Sequence, residues 1–284
     1  MLTFAELSHL EWMEELHDVC ISIEEYQAGL QYSNESALLS VLDFFGRIFN
    51  SLKTSMTKFL SSVKRGELKK YVEDHAATVS KIDHLNIDNE CFVVEIDTPS
   101  GMKASYSDAI KFLTDVFTKL DLKATLTTIK STLTQFNISV QREQDVTVQV
   151  GSFAATMNSK KAFIEQSITS MNDKFSGSDV DVRKFKNEFK SVGDFVRIKQ
   201  EIIDAEKNLE DVQSISKLTD ELTAIVSDIE AKKDTTVISS VAQSLSESAS
   251  TLAKAIDLYG MSVMNLMSLA HNYTLIYNKV AARV

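Results

Sequence analysis

The chain contains little proline, glycine or cysteine: one proline, eight glycines and two cysteines in 284 residues. Proline and glycine end helices and form tight turns, so their scarcity favours long uninterrupted helices over a turn-rich β fold. Cys20 and Cys91 are too few for a disulfide framework and lack the CxxC spacing of a redox or zinc site. We therefore expect a reducing environment, the cytoplasm of the producing cell.

Basic charge is also in short supply, because the formal net charge is −10 and the isoelectric point is about 5.1. Phosphate binding needs a basic surface, so nucleic acid is not an expected partner. Residues 1–18 carry acids in the first predicted turns and lack the basic region of a signal peptide. The longest uncharged stretch, residues 258–278, contains several polar side chains and keeps heptad order, which favours a buried bundle helix over a membrane span.

Motifs of catalysis are missing as well. We find no nucleophile elbow, P-loop, dinucleotide-binding glycine motif or HExxH zinc motif. Glu14 and His17 have the Glu-x-x-His spacing of di-iron bundles, but the second copy that such a site requires does not occur. The sequence thus predicts a protein that is not an enzyme, with no catalytic residue, metal ligand or cofactor.

The strongest positive signal is a heptad pattern near the C-terminal end of the sequence. Apolar residues recur at alternating steps of four and three, which predicts one helix from about Thr235 to Val280. Its seam consists of Ile238, Ala242, Leu245, Ala249, Leu252, Ile256, Tyr259, Val263, Leu266, Ala270, Tyr273, Tyr277 and Val280. A short connection at residues 231–235 joins this helix to a predicted helix over Val192–Lys232, so the two should be antiparallel. The pattern does not decide whether the seam closes within one chain or between copies.

Other apolar stripes predict further helices. They cover Thr3–Gln31, Leu38–Val63, Ser105–Phe136, about 153–175 and a short helix over Asp179–Phe189. The stripe of the Ser105–Phe136 helix changes phase near Asp121, which predicts either a kink or a change of packing partner there. Residues 137–151 stay ambiguous, since Val146, Val148 and Val150 alternate as in a strand while the residues just before them suit a helix.

Helical periodicity disappears between residues 82 and 106. Residues 90–96 are rich in strand formers, and residues 97–101 form a turn sequence with proline early and glycine late. We predict a mainly α fold, an elongated antiparallel helical bundle with long coiled-coil-like helices and a small β-hairpin insert. The sequence divides into an N-terminal helical part (1–82), the hairpin (83–104), central helices (105–190) and a C-terminal helical hairpin (191–284).

Two sets of residues are candidates for contacts with other molecules. The first is the apolar face of the predicted hairpin, and the second is the basic cluster around Gly66. The candidate residues are Phe92, Val94, Ile96, Met102, Lys64, Arg65, Lys69 and Lys70. A basic cluster beside a Phe-rich amphipathic helix is also typical of membrane-surface binding. Because acidic residues follow at once, an exposed helix end is the favoured interpretation.

The sequence resembles virion structural proteins of large tailed bacteriophages in its long serine- and lysine-dotted helices. The resembling segments are 44–52 (FFGRIFNSL), continuing to Val72, and 106–113 (YSDAIKFL). The resemblance lies in texture and carries no functional residue. It implies an assembly component of a virion, with other protein subunits, or further copies of this chain, as partners.

An alternative is a membrane-active helical bundle, similar in length and helix pattern to pore-forming toxins. Those proteins carry a glycine- and alanine-rich apolar hairpin, which this sequence lacks. A membrane is therefore not an expected partner, and a protein–protein role is the leading hypothesis.

Overall fold

A computed structural model of the chain describes residues 45–50, 52–54, 67–84, 102–139, 143–175, 191–231 and 239–282. These residues are almost entirely helical, and no strand occurs among them, so the prediction of a mainly α fold is confirmed. Residues 45–50 and 52–54 are helical. The remaining helices are α1 (Glu67–Asp74), α2 (Ala76–Asp83), α3 (Tyr106–Leu120), α4 (Leu122–Ser139), α5 (Glu143–Phe175), α6 (Val192–Glu206), a 3-10 turn (Lys207–Asp211), α7 (Val212–Ala231) and α8 (Ser239–Ala281).

The chain forms two compact units, each assembled from three separate segments. Unit 1 consists of Met1–Val63, Leu120–Gln166 and Asp211–Tyr259. Unit 2 consists of Lys64–Lys119, Ser167–Glu210 and Gly260–Val284. Both units therefore combine stretches from the N-terminal, central and C-terminal parts of the sequence, whereas the four predicted sections are contiguous.

In unit 1, α7 packs against α4 and against helical residues 45–50 and 52–54. Lys123 pairs with Asp211 at 2.6 Å and Lys130 pairs with Glu221 at 2.8 Å, so α4 and α7 run parallel. Helical residues 45–50 and 52–54 run antiparallel to α7. A Cβ added at Gly46 would lie 3.8 Å from Cγ1 of Val226, so the two residues are neighbours. Lys53 pairs with Asp220 at 2.8 Å.

The apolar core of unit 1 includes a group of phenylalanines. The Phe45 ring stacks on Phe49 with centroids 5.8 Å apart and contacts Phe153 of α5 at 6.0 Å. All three side chains are at most 2% exposed. The Phe-rich stripe of the predicted second helix is therefore core where the structure describes it.

In unit 2, α6 is the helix that the others surround. α1 and α2 pack against it, and Ser107 of α3 donates a hydrogen bond to Glu201 of α6 at 3.2 Å. From α8, the Tyr273 ring stacks on Phe195 with centroids 5.1 Å apart. The core of unit 2 is thus built from aromatic rings around the first turns of α6.

The seam predicted for the last helix lies inside the chain. From Ala249 to Val280, each of its residues is at most 4% exposed. Positions outside the seam, such as Ala253, Leu258 and Leu269, are buried as well. α8 is consequently covered on more than one side by the same chain, as expected for a bundle helix and not for a seam left open to a second copy.

The predicted kink near Asp121 is confirmed as a full break between α3 and α4. Asp121 has a φ of 40°, in the left-handed region, which ends α3. Its carboxylate Oδ1 then accepts a hydrogen bond from the Ala124 amide at 3.2 Å and caps the start of α4. One residue therefore stops one helix and starts the next, which explains the change of phase in the apolar stripe.

Two other expectations need correction or completion. The strand alternative for residues 146–150 is wrong, because α5 begins at Glu143 and buries Val150, Phe153 and Met157 on one helical face. The helix predicted over Val192–Lys232 is divided by the 3-10 turn, next to the place where two successive steps of three tighten the apolar pattern. The predicted helices over Thr3–Gln31 and Asp179–Phe189 lie outside the described residues.

The hairpin predicted at 83–104 lies mostly outside the described residues too. Its first residue, Asp83, is the last residue of α2, and residues 102–105 contain no strand. The amides of Lys103 and Ala104 donate to the Lys174 carbonyl at 2.7 and 3.4 Å, near the end of α5. Both ends of the insert are therefore attached to unit 2.

The double role of Asp121 predicts an order of stability among its variants. Asp121→Gly relieves the strain of the positive φ, and glycine is an acceptable N-cap. Asp121→Asn tolerates the positive φ and can still cap α4. Each variant should therefore change the free energy of unfolding by less than about 1 kcal/mol. Asp121→Ala keeps the strain and loses the cap, and should cost about 2 kcal/mol. Urea denaturation measures all three, and an alanine variant as stable as the glycine variant would contradict the assignment.

Candidate functional site

The most distinctive polar site in the described structure joins three helices of unit 2. Lys199 of α6 forms an ion pair with Oδ2 of Asp83, at the end of α2. The Tyr277 hydroxyl of α8 donates to the other oxygen, Oδ1, at 2.9 Å. Lys199 is 8% exposed and Asp83 18% exposed, so the pair is largely shielded from water. We refer to Asp83, Lys199 and Tyr277 as the Asp83 cluster.

A second layer of contacts surrounds this cluster. Lys199 Nζ lies 5.8 Å from the centroid of the Tyr277 ring, within the range of a cation–π contact. The Tyr71 ring of α1 contacts Tyr277 with centroids 6.1 Å apart, and its hydroxyl donates to Asn278 Oδ1 at 2.8 Å. His75 stacks on Tyr71 at 4.3 Å. α1 is thereby connected to the same end of α8 as α2 and α6.

A neighbouring tyrosine secures the start of α6. The Tyr273 hydroxyl donates to the Phe195 carbonyl at 2.5 Å, and the Tyr273 ring meets Tyr106 of α3 edge-on with centroids 5.8 Å apart. Tyr106 and Tyr273 are fully buried. The hydrogen bond of Tyr273 matters because leaving a buried tyrosine hydroxyl unpaired costs free energy.

The electrostatics of the Asp83 cluster favour a fixed arrangement. Burial raises the pKa of the Tyr277 hydroxyl far above its ordinary value, and the charge of Asp83 and its hydrogen bond raise it further. Tyr277 therefore stays protonated and acts as a donor. Both carboxylate oxygens of Asp83 already accept a bond, one from Lys199 and one from Tyr277. The arrangement is suited to holding the three helices together.

The two described histidines near this site each bind a backbone carbonyl four residues earlier in the chain. His75 Nδ1 lies 3.1 Å from the Tyr71 carbonyl, and His84 Nδ1 lies 2.7 Å from the Ser80 carbonyl. Within the ranges that the structure describes, histidine, cysteine, aspartate and glutamate nowhere form a group of three or more able to hold a metal ion.

The structure describes three of the eight candidate interaction residues. Lys69 and Lys70 are exposed on α1. Met102 is 1% exposed and belongs to the core of unit 2, so it cannot contribute to a surface for partners. Met102 follows the predicted turn and lies four residues before α3, and its side chain is buried at that position. Phe92, Val94, Ile96, Lys64 and Arg65 lie outside the described residues.

Sequence reasoning missed every member of the Asp83 cluster as a site residue. Its pattern places Tyr277 in the apolar seam, and Asp83 stands out only beside His84. Lys199 sits four residues after Phe195 in the apolar stripe of α6, and a lysine on a buried face is the one signal that the sequence offers. It does not reveal the partner, since 116 residues separate Lys199 from Asp83.

A half-buried carboxylate, with one oxygen fully buried, lies in unit 1. Oδ1 of Asp257, in α8, is buried and has no hydrogen-bond partner. Burial raises the pKa of this carboxyl to about 6. An unpaired buried carboxylate destabilises the folded chain when it is charged, and the raised pKa reflects that cost.

Comparison with protein-family models, with curated proteins and with solved structures finds no match for this chain. Of the helices in the described parts of the chain, none is both long and apolar enough to cross a membrane.

The Asp83 cluster predicts a large loss of stability when its cation is removed. Lys199→Met keeps the side-chain length but leaves the shielded Asp83 carboxylate without a counter-charge, which should cost about 3 kcal/mol in the free energy of unfolding. Tyr277→Phe removes one neutral donor and should cost about 1 to 2 kcal/mol. Asp83→Asn combined with Lys199→Met removes both charges and should recover part of the loss.

The matched control for these variants is Lys130→Met, which breaks an ion pair that is more than one-third exposed on both sides. Exposed pairs contribute about 0 to 1 kcal/mol, so this variant should remain close to the wild type in urea denaturation. If Lys199→Met were no less stable than Lys130→Met, the Asp83 cluster would not hold unit 2 together.

Asp257 predicts a specific dependence of stability on pH. Its folded pKa of about 6 lies above the ordinary value of 3.8, so the folded state holds the proton more tightly than the unfolded state. Stability should therefore be highest below about pH 4 for this group and fall as the pH rises to about 6, by up to about 3 kcal/mol. Asp257→Asn should stabilise the chain at pH 7 and remove this contribution from melting curves recorded between those values. An unchanged pH profile would contradict the assignment.

Proposed function

We propose that this chain is a non-catalytic structural or assembly protein that acts through contacts with other protein chains. The observation that supports this proposal most is the Asp83 cluster. Its buried ionisable groups bind one another and hold α2, α6 and α8 in place, which is what a scaffold needs. A catalytic site would instead present a perturbed acid or base to a substrate.

The proposed contact surfaces are the predicted hairpin, with Phe92, Val94 and Ile96, and the basic cluster Lys64–Lys70. Two observations favour the hairpin as an arm with fixed ends. Asp83, at the start of the insert, is bound by α6 and α8, and the backbone of its last two residues, Lys103 and Ala104, is bound to the Lys174 carbonyl. Lys69 and Lys70 are exposed, and acidic partners are the chemistry that such lysines attract.

For the shape of the protein we propose the elongated, coiled-coil-like antiparallel bundle that the heptad patterns favour. For its setting we propose the virion of a large tailed bacteriophage, on the resemblance of residues 44–72 and 106–113 to virion structural proteins. The acidic composition supports contacts with protein in preference to packaged nucleic acid.

Site-specific photo-cross-linking tests the proposed function. We expect a cross-linkable phenylalanine analogue at Phe92 to capture one defined partner chain in the producing cell. The same analogue at Thr128, an exposed position of α4, is the matched control and should capture none. If both positions gave the same products, or Phe92 gave none, the hairpin would not be a specific contact surface.

Measurements on the isolated chain test the proposal further. Because the seam of α8 is covered within the chain from Ala249 to Val280, light scattering should give a monomer of 31.7 kDa. The proposed shape predicts an elongated particle in small-angle X-ray scattering. Compact scattering would contradict the proposed shape. Flotation with liposomes would favour the membrane-active alternative, and gradient-purified virions that lack the chain would exclude the virion setting.

A further inference from the structure

Two helices of unit 1 begin side by side at breaks in longer helical stretches. α4 begins after Asp121, the residue with the positive φ, and α7 begins after the 3-10 turn. Lys123, in the first turn of α4, pairs with Asp211, which immediately precedes α7, at 2.6 Å. One ion pair thus joins the beginnings of two parallel helices.

Parallel packing brings the positive ends of two helix dipoles together, which is unfavourable unless negative charge lies there. Asp121 and Asp211 supply that charge at the start of α4 and α7, respectively. Two lysines balance the acids. Lys123 pairs with Asp211, and Lys160 of α5 donates to the Leu120 carbonyl at the end of α3. Burial lowers the pKa of Lys160, while the charge of Asp121 opposes that change.

Most side chains of the 3-10 turn are exposed to solvent. Hydrogen-bond geometry in a 3-10 helix is poorer than in an α-helix, and such turns within long helices often mark points of strain or movement. Leu209 is its one buried hydrophobic side chain, at 2% exposed. Lys207, Glu210 and Asp211 are exposed, and Lys207 pairs locally with Asp204 at 2.6 Å. The bond that reaches from Asp211 to another helix is the one to Lys123.

We propose that the Lys123–Asp211 ion pair is a latch that holds the Lys207–Asp211 turn closed, so that the turn opens locally when the pair is screened or removed. The latch acts on local opening while the apolar contacts of α7, through Val212, Ile215 and Leu222, keep the rest of the helix folded. Because salt screens exposed ion pairs, a higher ionic strength should favour local opening of the Lys207–Asp211 turn.

Amide hydrogen exchange of the full chain tests the latch. In Lys123→Met, the amides of residues 207–213 should exchange about two to five times faster than in the wild type, the range that loss of an exposed ion pair implies. The matched control is Lys130→Met, which breaks the Lys130–Glu221 pair between the same two helices, away from the turn. It should leave exchange at 207–213 unchanged.

Salt provides a second readout. Raising the ionic strength from about 0.05 to 1 M should speed exchange at 207–213 more in the wild type than in Lys123→Met, because the variant has already lost the Lys123–Asp211 pair that salt screens. The proposal is overturned if both variants accelerate exchange equally along α4 and α7, because the pairs would then act only on global stability. It is also overturned if salt changes exchange at the turn equally in the wild type and in Lys123→Met.

Discussion

A single carboxylate organises unit 2. Asp83 lies where α2 ends, and shielding it from water would be costly unless both of its oxygens were bound. Lys199 and Tyr277 meet that requirement from two other helices, and the rings of Tyr71 and His75 continue the contact to α1. Because each partner comes from a different helix, satisfying one charge fixes the relative position of several helices.

Unit 1 uses charge in a different place. Its core is apolar around Phe45, Phe49 and Phe153, while its ion pairs lie on the outside and align α4 with α7. The exception is Asp257, whose buried oxygen lacks a partner and whose pKa is raised accordingly. The two units thus limit the cost of burying charge in different ways. Unit 2 pairs the shielded charge of Asp83, and unit 1 keeps its described ion pairs at the surface.

Local sequence patterns predicted what depends on local physics. Apolar periodicity indicated α8, the end of α5 and the break at Asp121, because each of these arises from residues close together in the chain. It could not indicate the Asp83 cluster, whose members pair across 116 and 194 residues. Apolar periodicity also could not predict the parallel packing of α4 and α7 or the burial of Met102, because both depend on which helices contact each other in the folded chain.

The long separations have a consequence for synthesis of the protein. The last segment of unit 1 ends within α8, the last segment of unit 2 begins there, and the Asp83 cluster needs Tyr277, near the end of that helix. Domains usually fold as units while the chain leaves the ribosome. In this protein neither unit has all the segments of its core until α8 has emerged, so a chain that stops before α8 would leave exposed the apolar faces that this helix covers. The folding of both units therefore depends on a single helix.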